Sequence, residues 1–142
     1  MQPRTGLLAL LTTCLLGAGC GTSASGPYHL SGKVTFNGKA VPAGRIFFLP
    51  DSAKGNSGQG GFAEIKEGAF DTRTKGAPTP GGALAVRIDG FDGQTSPTNL
   101  VGQPLFLTYE VKVEVPHADA TQDFDVPASA AKKLPKGGGE PP

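Results

Sequence analysis

Between Pro104 and Pro116 the side chains alternate without a break. Leu105, Leu107, Tyr109, Val111, Val113 and Val115 fall on one side. Phe106, Thr108, Glu110, Lys112 and Glu114 fall on the other. A period of two excludes an amphipathic helix, whose apolar positions recur three and four residues apart. It specifies a half-buried antiparallel strand with a wet face, on which Lys112 stands between Glu110 and Glu114. Burying each inward side chain is worth roughly 1.5–3 kcal/mol. A single strand cannot bury its own face, so the rest of the chain must supply a sheet and a covering layer.

The remaining segments repeat this pattern at short intervals. Tyr28, Leu30, Val34 and Phe36 share one face, and His29, Ser31, Lys33 and Thr35 the other. Asn37-Gly38 is a favoured hairpin pair, because both residues tolerate positive φ. Val41–Gly44 turns the chain. Arg45–Leu49, with its run Ile46-Phe47-Phe48-Leu49, reads as a central strand closed by Pro50. Gly61–Lys66 and Ala69–Thr74 form a hairpin about Glu67-Gly68. Ala83–Asp89 alternates again, with Leu84, Val86 and Ile88 inward. Thr121–Val126 returns with Gln122, Phe124 and Val126 on one face. Asp51–Gly60 reads as a mobile loop by composition, Lys75–Gly82 as a Pro/Gly loop and Gly90–Gln103 as a long end loop. About seven short strands separated by turn signals, with no amphipathic helix, predict an all-β Greek-key β-sandwich.

The N-terminus carries a different signal. Gly6–Leu16 is an apolar run of signal-peptide length, too short to span a bilayer comfortably. Gly17-Ala18-Gly19 are small, and Cys20 follows at once. This order resembles a bacterial lipoprotein processing site, with Cys20 as the lipid attachment. Leu16 stands four residues before the cysteine, where the pattern has it three before. Ordinary secretory cleavage after Gly19 is the alternative. The expected division is a signal peptide over 1–19, a flexible tether over 20–27, the β-domain over 28–127 and a disordered tail over 128–142. The expected location is the cell envelope, at the outer membrane through the lipid, with a periplasmic or secreted form as the alternative.

A family resemblance rests on the strand, turn and connector motifs. Gly32, Val34, Asn37, Gly38 and Val41 match the opening motif of carboxypeptidase regulatory-like, transthyretin-like domains. Gly68 with Phe70, and Pro80-Gly81 ahead of Val86 and Ile88, resemble the segments that follow. Leader, cysteine and one such domain together are similar to short lipoproteins of planctomycete-type bacteria. The resemblance covers roughly Leu30 to Asp89 and implies the sandwich fold. It is almost silent on function, because this scaffold hosts many.

Chemistry is scarce in the residues. Both cysteines, Cys14 and Cys20, lie in the leader region, so the body has neither a thiolate metal site nor a disulfide. His29 and His117 lie in separate segments and predict no metal site. Asp119, Asp123 and Asp125 make an acidic scatter, joined by Asp89 and Asp92, that reads as solvated faces without a calcium-loop motif. The Gly-rich loop 51–60 lacks the Lys-Ser/Thr pair of a phosphate loop, and no nucleophile elbow occurs. Lys33 alternates onto the wet face, which argues against an isopeptide with Asp123 or Asp125. Lysines and arginines are scattered, so no nucleic-acid face is expected. Phe47 and Phe106 are the candidate exposed aromatics, with packing against a second sheet or the tail as their expected role. The chain therefore reads as non-enzymatic and cofactor-free. Its expected partners are the membrane, through the lipid, and an envelope protein or glycan met by the loops 51–60 and 90–103. A carbohydrate-binding accessory module is the alternative.

Overall fold

The computed structural model describes residues 27–133. Residues 1–26, with the expected signal peptide, tether and Cys20, and the last nine residues lie outside the described part. The strands are β1 (Leu30–Phe36), β2 (Lys39–Ala40), β3 (Ala43–Pro50), β4 (Gly61–Lys66) and β5 (Ala69–Asp71). They continue with β6 (Gly76–Ala77), β7 (Gly82–Phe91), β8 (Pro104–Val115), β9 (Ala120–Thr121) and β10 (Phe124–Val126). Among the described residues there is no α-helix, only 3-10 turns at Ser52–Lys54 and Ala128–Lys133. The fold is all-β: a mostly antiparallel sheet curled into a half-barrel. Its hydrogen-bonded order is β10-β1-β5-β4-β3-β7-β8.

Local chemistry sets the two tight hairpins. Asn37 and Gly38 take φ of 50° and 76°, and Glu67 and Gly68 take 51° and 78°. Two successive positive φ values give the turn whose twist matches that of the flanking strands. The first turn joins β1 to β2, and the second sets the register Ile65↔Phe70 and Lys66↔Ala69. β3 runs in the middle of the sheet as its apolar run requires, between β4 and β7.

The concave side of the sheet is the core. Leu30, Val34, Ile46, Phe48, Leu84, Val86, Ile88 and Phe106 are fully buried there. Phe48 lies 5.7 Å from Phe70 and 6.4 Å from Phe124, centroid to centroid, so the middle of the sheet packs on its β10 edge. Phe36 and Phe106, 5.1 Å apart, join β1 to the opposite edge. Curling is what brings both edges over one core.

Four expectations need correction. The alternation in β8 breaks at a bulge, where Leu107 and Thr108 together face Asp89. Thr108 takes φ of 55°, and its N–H donates to Asp89 Oδ1 at 2.7 Å. The extra residue turns Phe106 inward onto Gly90, so Phe106 packs in the core instead of standing on the wet face. Second, the C-terminal strand does not return beside β8. It crosses to the other edge, and β9 and β10 run parallel to β1. Third, the loop 51–60 is pinned. Asn56 Nδ2 donates to the carbonyls of Gly81 and Ala83 at 2.8 and 2.7 Å. Fourth, the domain continues past 127, because Ala128–Lys133 forms a helical turn that packs on β8 and buries Ala130.

The parallel seam is unusual in its side chains. β1 pairs with β9 through Leu30↔Ala120 and with β10 through Val34↔Phe124, and the ladder is interrupted between. There Asp123 Oδ1 accepts the Lys33 N–H at 2.8 Å, and Asp125 accepts the Thr35 hydroxyl at 2.7 Å. Below the break Asp119 Oδ1 accepts the His29 N–H at 2.7 Å. The three aspartates of the acidic scatter thus fasten the last segment to the first. Gly32 sits at the break, where an added Cβ would overlap the Gln122 carbonyl oxygen.

Candidate functional site

The sheet's ends differ. Tyr28 pairs with Thr79 through two backbone hydrogen bonds, so the chain enters the domain beside the start of β7. The residues after β7, 92–103, lie at its other end. β7 has ten residues, so the two ends are about 30 Å apart. The sequence-nominated loops therefore do not meet: 51–60 lies at the entrance end and 90–103 at the far end. Pro80 and Gly81 lie beside Tyr28 and His117 at the entrance, and Gly32, Val34, Asn37, Gly38 and Val41 are turn and core residues. None of them lines the groove described next. Cys20 is outside the described residues.

The far-end loop is built rather than loose. Asp92 Oδ1 accepts the N–H groups of Gln94 and Gln103, both at 2.9 Å. Asn99 accepts the Gly102 N–H at 3.1 Å and donates to the Gly102 carbonyl at 2.8 Å. These side chains replace the missing ladder partners. The result is a tip that holds Leu100 80% exposed beside Val101.

From that end a groove of about 530 Å³ runs over the convex face of β4, β3 and β7. Its floor follows from the strand registers. Phe47 stands between Phe62 and Arg87, and Arg45 between Glu64 and Asp89. Phe91 and Val101 close the loop end. Phe62, on the strand row beside Phe47, keeps 42% of its surface in water.

The polar groups of the groove are unevenly used. The Arg87 guanidinium carbon lies 4.7 Å above the Phe47 ring, a cation–π contact. Its nearest carboxylate, Asp89, is 4.0 Å away and already accepts from the bulge amide. Arg87 Nε is buried without a hydrogen-bond partner. Glu64 pairs with Lys75 at 3.5 Å. Among the described residues Arg45 has no ion pair. Such a face can hold a flat, partly apolar ligand by ring contact and guanidinium hydrogen bonds.

Sequence reasoning named Phe47 and missed Phe62, Arg45 and Arg87. Their shared face was legible in the alternation within each strand. Their meeting required the register between strands.

Elsewhere the charged groups serve the fold. Asp51, at the entrance end, accepts the Ala53 N–H and lies 3.0 Å from Lys112 Nζ. The hydrogen bond from Lys112 holds its carboxyl below the usual aspartate range. Asp119 is lowered likewise, first by the His29 N–H, and also by Arg73, with which it forms an ion pair. His29 Nδ1 lies 3.1 Å from the hydroxyl of Thr72, which also accepts the Leu30 N–H. Thr72 is buried, so this trio is a clamp and not a nucleophile at the surface. Among the described residues no group of three or more His, Cys, Asp or Glu side chains gathers as a metal site. No helix there is long and apolar enough to cross a membrane. Comparison with protein-family models, curated proteins and solved structures finds no match to this chain.

Proposed function

We propose that this chain is an exported, lipid-anchored, non-enzymatic binding module of the cell envelope, with the convex groove as its contact surface. In this reading the half-barrel is a transthyretin-like Greek-key β-sandwich of seven principal strands. Cys20 carries the lipid, and the residues before Tyr28 tether the domain.

One observation carries the reading: the chain enters the sheet at one end, and the groove lies toward the other. Tyr28 bridges to Thr79 beside the start of β7, whereas Phe91 and Val101 close the groove at its finish. A tether at the entrance end holds the groove and the Leu100 tip away from the bilayer. An enzyme would need an acid–base or nucleophile constellation in the groove, and this groove offers two arginines, two engaged carboxylates and aromatic rings.

Labelling with a fatty-acid probe tests the anchor. The wild-type chain takes up label and sediments with envelope membranes, and Cys20→Ser loses both. Unlabelled wild-type protein in the soluble fraction, cleaved after Gly19, would replace the anchored reading with the secreted one. The carbohydrate-binding reading is favoured by the exposed Phe62 ring beside Phe47 on the open sheet face. A glycan array on which binding disappears in Phe62→Ala would support it, and a blank array would count against it.

A further inference from the structure

Resting on the groove as contact surface, the geometry points to a carboxylate-bearing saccharide, a uronic-acid unit of an acidic polysaccharide, as its ligand. Glu64 is engaged by Lys75 and Asp89 by the Thr108 amide. Both guanidiniums are left short of partners: Arg45 has no ion pair among the described residues, and Arg87 Nε has no hydrogen bond. A buried donor without a partner calls for a group that supplies one. A guanidinium fork matches a planar carboxylate through two parallel hydrogen bonds.

The same face selects among anions. β3 is hydrogen-bonded on both edges, to β4 and to β7, so the groove floor has no spare backbone groups. An extended peptide needs a free sheet edge for its main chain. The ligand here must be recognised by side chains alone. The rim carboxylates Glu64 and Asp89 repel a dianion such as a phosphate monoester, yet they accept hydrogen bonds from hydroxyl groups. A sugar monoacid satisfies both requirements. Phe62 offers an open ring face for the sugar's C–H side, two strand spacings or about 10 Å from Arg87. That span suits neighbouring units of a chain, one over the ring and one at the fork.

The test uses the full chain in detergent, titrated calorimetrically with an oligogalacturonate and with a neutral malto-oligosaccharide of equal length. Sulfated dextran serves as a third arm. The uronate should bind and the neutral sugar should not, with affinity falling as salt rises. Arg45→Ala and Arg87→Lys should each weaken binding by about tenfold or more, the scale for losing a charge-assisted hydrogen bond. Circular dichroism melts identify any variant that has failed to fold, and Arg45, exposed on the sheet, is the variant expected to melt as wild type does. Equal binding of the neutral sugar, lost in Phe62→Ala, overturns the uronate and keeps the groove as contact surface. Tighter binding of sulfated dextran, or no change on replacing Arg45 and Arg87, overturns the proposal. Binding of none of the three overturns it as well, and the Cys20→Ser labelling then decides the envelope reading separately.

Discussion

The β4-β3-β7 layer and the β1 seam use the same kinds of residue in opposite ways. In the layer the ladder is unbroken, with eight consecutive pairs from Ala43↔Phe91 to Pro50↔Leu84. Backbone groups satisfy one another, so the outward side chains are largely free of structural duty, with Asp89, which closes the bulge amide of β8, as the exception. At the seam the ladder stops and resumes around Gln122 and Asp123. Asp119, Asp123, Asp125 and Thr72 are consumed there in closing backbone donors and a hydroxyl. Polar side chains are spare where the backbone ladder is complete and spent where it is broken. That difference is the physical ground for proposing the layer as contact surface and assigning stability to the seam.

The comparison can be broken most severely where the two regions touch. Phe48 projects from the layer onto Phe70 and onto Phe124 of the seam. Phe48→Ala should cost about 3–5 kcal/mol in denaturant unfolding, since it removes a fully buried ring. Gly32→Ala attacks the seam alone. The new methyl overlaps the Gln122 carbonyl, and overpacking of this kind costs about 1–3 kcal/mol. Asp123→Ala removes the acceptor of the Lys33 N–H at an exposed position and should cost about 0.5–1.5 kcal/mol by the same measurement.

Acid sharpens the contrast by a smaller amount. Folding lowers the Asp119 and Asp51 carboxyls below their ordinary value. The stability they contribute is complete above the unfolded aspartate value, near 4, and fades as pH falls through the lowered folded values. Thermal melts from pH 5 downward should show a shallower decline for Asp119→Asn than for wild type. Arg45→Ala, on the spare face, should change stability by no more than about 0.5 kcal/mol. A large loss there would show that the outward face of the layer is structural after all, and the contrast with the seam would collapse.

Much of this architecture was readable before any coordinates. Asn37-Gly38 and Glu67-Gly68 sit where hairpin chemistry requires them, β3 runs centrally as its apolar run requires, and β7 buries Leu84, Val86 and Ile88, the residues that alternation assigned. The bulge in β8 was not read. Its signal lay on the partner strand, where Gly90 ends a strand pattern without a side chain of its own and so leaves room for the Phe106 ring. The duty of Asp119, Asp123 and Asp125 was not legible either, because the partner of each lies 90 residues earlier in the chain.

What the chain determined locally is its list of strands, its two tight turns and the inward or outward direction of most side chains. Those follow from backbone sterics and a two-residue period, which act over a few residues. Tertiary structure alone decided that the last strand runs parallel to the first, that the two nominated loops lie at opposite ends, and that Phe47, Arg87 and Arg45 share one groove with Phe62 on the strand beside it. These depend on pairing between distant segments, where the free energy of burying a common core selects one register and leaves no trace in any single segment.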